Sequence, residues 1–157
     1  MNKFSVLWLL VIVPIASAQA PKPGTYAFSK RHGDHIAKIV IRTRAFDPSK
    51  HKISYARSNY QTTIDGRLAY GAEQPPRTEI ATLNFYFDGQ RIPVARHLYT
   101  DCYEPNVYRG KGLGIGFSRD FRRVFVTAFG SDGAGSYHVV WVLGRNGRHR
   151  RYFKPTF

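Results

Sequence analysis

Cysteine is almost missing from this chain of 157 residues: Cys102 stands alone. One thiol cannot form an intrachain disulfide, which excludes the small disulfide-stapled scaffolds and leaves stability to an apolar core. Acid is scarce as well. Ten Asp and Glu face 24 Lys and Arg, a formal charge of +14, which opposes association with basic proteins and favours anionic polymers and surfaces. Long apolar runs are absent after the first residues, and hardly any segment shows the spacing of an amphipathic helix.

What is present begins with Lys3, a short apolar run from Phe4 to Ile15, and the small residues Ala16-Ser17-Ala18. That order is a secretory signal with a cleavage site. The run is shorter than the roughly 20 apolar residues a membrane span needs. The expectation is a signal peptide over 1–18, cleavage after Ala18, a loose leader over 19–24 containing Pro21 and Pro23, and a single β domain over 25–157. The product would be secreted or periplasmic, with no transmembrane segment.

Period-two alternation broken by turn residues recurs along the domain, which is the pattern of an antiparallel all-β fold. Ala81, Leu83, Phe85 and Phe87 alternate with more polar neighbours, and Asp88-Gly89 suits a two-residue type I′ turn. That register would pair Phe85 with Ile92 and Leu83 with Val94. Asp65-Gly66 predicts a second hairpin between 60–64 and 67–70, followed by a Pro75-Pro76 loop. A third joins His138 through Leu143 to Arg148 through Phe153 by way of Asn146-Gly147. Strands are also expected over 36–46 and 121–129, while 50–59 reads as helix or strand. The expected fold is an all-β, antiparallel β-sandwich or small barrel of about seven or eight strands.

Catalytic and metal signatures are weak. Glycine alternates through Gly110, Gly112, Gly114 and Gly116, unlike a phosphate-binding loop, which ends in Gly-Lys-Ser/Thr and opens a helix, and the segment reads as a glycine-rich strand or loop that allows close packing. His32-Gly33-Asp34-His35 lacks the separated ligand pairs of a zinc site and reads as a solvated turn. Cys102 with His97 or His138, and Ser118 with Asp120, can be written as dyads, but neither lies in a nucleophile-elbow context. A small hydrolase is therefore an alternative and not the leading reading. No cofactor and no metal are expected.

The basic residues are better placed. Arg145, Arg148, Arg150 and Arg151 crowd the last hairpin together with His149 and Lys154, and Arg119, Arg122 and Arg123 flank the strand before it. Tyr152, Phe153 and Phe157 interleave flat surfaces among these charges, on which bases or sugar rings could stack. The leading expectation is an exported, non-enzymatic binding protein whose cationic face meets an anionic polymer or envelope surface.

Between the last two long strands lies Gly130-Ser131-Asp132-Gly133-Ala134-Gly135-Ser136-Tyr137. A loop of Ser and Gly closed by Tyr, between strands of an exported all-β domain, resembles the inhibitory loop of the bacterial periplasmic lysozyme inhibitors, including those directed at invertebrate-type lysozymes. Gly133 and Ala134 stand where that family's pattern has Ser and Gly. The resemblance implies insertion of the 130–137 loop into a lysozyme cleft, with Ser131, Gly133, Ser136 and Tyr137 as contacts. Asp132 would add the loop's one charge. Lysozyme inhibition is the alternative function this implies.

Overall fold

The computed structural model describes residues 22–55, 62–72, 74–107, 112–131 and 135–154. Among the described residues eleven strands follow in chain order. They are β1 (Gly24–His32), β2 (His35–Ala45), β3 (Ile53–Tyr55), β4 (Thr62–Ile64), β5 (Arg67–Leu68) and β6 (Thr78–Phe87). The rest are β7 (Gln90–Ile92), β8 (Leu113–Phe117), β9 (Arg123–Gly130), β10 (Tyr137–Gly144) and β11 (His149–Lys154). Single 3-10 turns occupy Pro48–Lys50 and Arg96–Leu98. Among the described residues no helix is long and apolar enough to cross a membrane.

The strands form three antiparallel sheets, so the fold is all-β and sandwich-like. Two four-stranded sheets, ordered β1-β2-β6-β7 and β11-β10-β9-β8, face one another across the main core, and β3-β4-β5 makes a small third sheet. Alternation explains the packing. Ile39, Ile41, Leu83 and Phe85 from the first sheet meet Val126, Val139, Trp141 and Leu143 from the second, all buried in one cluster. The third sheet has its own smaller cluster of Phe46, Ile64, Ala69, Ala72 and Tyr103.

Turn chemistry sets the registers. Asp65 and Gly66 both take positive φ, as do Asp88 and Gly89, the geometry of a type I′ hairpin. Phe85 pairs with Ile92 as the alternation predicts. The ladder ends there, before the expected Leu83–Val94 pair; Val94 packs on the core instead. The last hairpin pairs Leu143 with His149, leaving Gly144 through Arg148 as its turn. The segment that read as helix or strand divides into the 3-10 turn and β3, with 56–59 outside the described residues. The expected signal peptide and Tyr60-Gln61 also lie outside them.

Two long antiparallel sheets built from hairpins gather their turns at one end. His32-His35, Asp88-Gly89, Ser118 through Arg122 and Gly144 through Arg148 are all there, since His35, Phe87, Phe117 and Phe121 touch across the two sheets. β9 ends and β10 begins at the opposite end.

Candidate functional site

The turn end concentrates cationic side chains. β9 enters the sheet at Arg123, which pairs with Gly144 at the close of β10, so the turn before β9 lies beside the turn after β10. Arg145 N–H donates to the Arg122 carbonyl at 3.1 Å and stitches the two turns together. Arg122, Arg123, Arg145 and Arg148 then line one open concavity of about 520 Å³ with Gly144 and Asn146. A neighbouring hollow continues it past Arg145 and Asn146 to Phe87, Asp88 and Ile92.

Local hydrogen bonds hold the backbone under these side chains. The Ser118 hydroxyl accepts from Arg123 N–H at 3.0 Å and donates to Asp120 at 2.7 Å, while Asp120 also accepts from Arg122 N–H. Asn146 Oδ1 accepts from Arg148 N–H at 3.1 Å. Arg145 lies over the Phe87 ring, 4.3 Å from its centroid, a cation–π contact that orients the guanidinium while leaving its donors outward. Ser118 and Asp120 therefore form a turn lock, and no hydrogen bond joins Ser118 to an imidazole among the described residues.

Few carboxylates are left to pair with the turn-end arginines. Of the eight described carboxylates, seven are within ion-pair distance of a Lys, Arg or His; Asp34 is the exception. Those pairings occupy Arg44, Lys50, Arg77, Arg122 and Arg151, the Arg122 pair with Asp120 being a loose 3.9 Å. Arg119, Arg123, Arg145 and Arg148 have no carboxylate within ion-pair distance among the described residues, Arg145 acting on Asp88 only from farther off, and all are exposed.

The residues expected to act together are dispersed over four places. Arg145 and Arg148 belong to the turn end. Arg150 is exposed on the outward face of β11. Arg151, one residue on, points the other way and is withdrawn from the surface: its guanidinium bonds both Asp101 oxygens, donates to the Leu98 carbonyl at 3.1 Å, and stacks 4.9 Å from the Phe153 centroid. Leu98 O also accepts from Trp141 Nε1 at 2.7 Å. Arg151 is thus a structural clamp.

Gly130 and Tyr137 pair at the far end of β10, one strand length from Gly144, or roughly 24 Å at ~3.4 Å per residue. Ser131 and Ser136, which border the segment, therefore stand at the opposite end of β10 from the basic turn. Ser131 takes positive φ and its N–H donates to Glu104 O; Gly135 O accepts from Gly71 N–H; Ser136 is half-buried. Asp132 and Gly133 lie outside the described residues. Tyr137, the residue the inhibitor resemblance would insert into a cleft, is 4% exposed. Its ring packs edge-on to Tyr70 and Phe153, and burial drives its phenol well above the ordinary pKa. A side chain so enclosed has no surface to offer a partner.

Cys102 is likewise sealed, at 0% exposure. Burial pushes its thiol up to about 12, against the pull of Arg151, so a thiolate nucleophile is not formed near neutrality. Its polar neighbours are Asp101 and Arg151, not His97 or His138. His35 pairs with Asp88 at 2.8 Å, and no three potential ligands converge among the described residues.

Sequence reasoning singled out the last hairpin but gave Arg122 and Arg123 no site role; their signal was the Arg-rich run ending in β9, and only the pairing of β9 with β10 brings them to Arg145. Compared with known proteins, the chain matches no family model, no curated protein and no solved structure.

Proposed function

We propose that this is an exported, non-enzymatic binding protein whose arginine-lined turn end engages an anionic polymer or an envelope surface. The observation that carries the reading is the concavity shared by Arg122, Arg123, Arg145 and Arg148, where three guanidinium groups have no carboxylate partner among the described residues. Guanidinium forks bind phosphate, sulfate and carboxylate oxygens bidentately. Four of them on one concave surface match the repeated charge of a polymer better than one small anion. With residues 1–18 read as an export signal, the polymer on this reading lies outside the cytoplasm.

Binding to a duplex DNA probe of fixed length tests the charge reading, because its salt dependence counts contacts. Affinity should fall steeply with salt, and replacing Arg123, Arg145 and Arg148 together by Ala should reduce the slope of log K against log salt by about 3, near 0.9 per phosphate contact. An affinity indifferent to salt, or a slope unchanged in the triple variant, overturns the assignment.

A further inference from the structure

The outward face of the second sheet carries a pattern that the turn end does not use. In β10, Tyr137, Val139, Trp141 and Leu143 point into the core, so His138, Val140 and Val142 face outward. The registers with β9 and β11 arrange their neighbours in three rows. Lys154, His138 and Phe129 form one; Tyr152, Val140 and Thr127 the next; Arg150, Val142 and Phe125 the third. Adjacent to the last two rows, Gly114 and Gly116 of β8 leave bare backbone.

This face is ringed and cationic at once. Phe129 and Tyr152 are each 43% exposed, among the largest exposed apolar side chains described. His138 stacks on Phe129 with ring centroids 4.1 Å apart. Val140 and Val142 between them are only 1% and 3% exposed, so the centre of the face is buried and what it presents is the rings and cations beside them. Arg150 and Lys154 bracket Tyr152 on the edge strand, neither paired to a carboxylate among the described residues, and no row contains an acid.

We propose that this face is a ring-stacking site for an acidic polysaccharide. The apolar C–H face of a pyranose lies against an aromatic ring, and its sulfate, phosphate or carboxylate groups lie beside Arg150 and Lys154. A second copy of the chain is a poor occupant, because an isologous contact would set Arg150 and Lys154 against their own copies without a carboxylate between them. Single-stranded nucleic acid has rings and charge as well, but the export signal puts the chain where glycans and not nucleic acids are the abundant polyanions. The inference rests on the polyanion reading above and adds to it a second surface with a different physical basis. Stacking is apolar and weakly screened, whereas the arginine concavity acts by charge.

The full chain lacking residues 1–18 is titrated with a size-defined heparin oligosaccharide and with an oligothymidylate, at several salt concentrations. F129A combined with Y152A should weaken heparin binding at least tenfold at every salt while leaving the salt slope unchanged. R145A with R148A should instead lower the slope. Both rings are half-exposed, so an unchanged melting temperature certifies the double variant, and Arg150→Glu with Lys154→Glu provides an independent loss of at least tenfold. Heparin affinity that survives both variants of this face, but falls in the turn-end variant, overturns the inference and leaves the polyanion reading standing. A loss seen with oligothymidylate and not with heparin overturns the choice of polysaccharide. Failure of the unmodified chain to bind any polyanion overturns both readings.

Discussion

Tyr137 shows how one residue can look like a contact and be a support. Its ring fills space that only glycine leaves open: a Cβ at Gly130 would lie 2.2 Å from that ring, and one at Gly71 would lie 2.8 Å from it. Its hydroxyl has no hydrogen-bond partner among the described residues, and a buried polar group without one costs on the order of 1–3 kcal/mol. Tyr137→Phe should therefore leave stability unchanged or raise it by about 1 kcal/mol, whereas Tyr137→Ala should lower it by about 3–5 kcal/mol through the cavity it opens. Chemical denaturation of the two variants checks this. If Tyr137→Ala retained full stability, the supporting role would be wrong, and a role in contacting a lysozyme would regain its force.

At the scale of elements, β11 illustrates how alternation assigns opposite duties to adjacent arginines. Arg150 faces out, while Arg151 ties β11 to the segment holding Leu98, Asp101 and Cys102. Removing one partner of an enclosed ion pair strands the other, so Arg151→Ala should cost about 3 kcal/mol of stability, and Arg150→Ala less than about 0.5 kcal/mol. Thermal melts of the two variants separate those outcomes. The hairpins at Asp65-Gly66 and Asp88-Gly89 were legible because their turn chemistry is local and the flanking apolar residues agree with it. β1 was not, since its second half, Ser29 through His32, is an exposed edge with no apolar alternation. β8 was only one of two readings, because glycine at alternate positions carries little strand preference. Among the site residues, the cationic hairpin was legible in composition. The burial of Tyr137 was not, because Gly71, Tyr70 and Phe153 come to it from distant parts of the chain.

Across the whole molecule, scarce acid is used locally, and that shapes the response to pH. Asp47 is held at about 2 by the Ser49 hydroxyl first and Lys50 next. Asp65 is lowered by His51 and the Lys52 N–H, Asp88 by the Ile36 N–H and His35, and Asp120 by the Ser118 hydroxyl and the Arg122 N–H. A carboxyl group with a folded pKa below its unfolded value, near 3.8, contributes its stabilisation fully above that value and loses it as pH falls through the folded one. The melting temperature should accordingly decline from about pH 4 toward pH 2, and repulsion among the uncompensated cations should add to the fall. A melting temperature constant across that window would contradict the assignment. The path of the chain has a last consequence. β1 begins at Gly24 and β11 finishes at Lys154, both at the end remote from the arginine turns. A tether fused beyond either residue would hold the molecule by its back, so that on a sensor surface or a cell wall the guanidinium groups point toward whatever approaches.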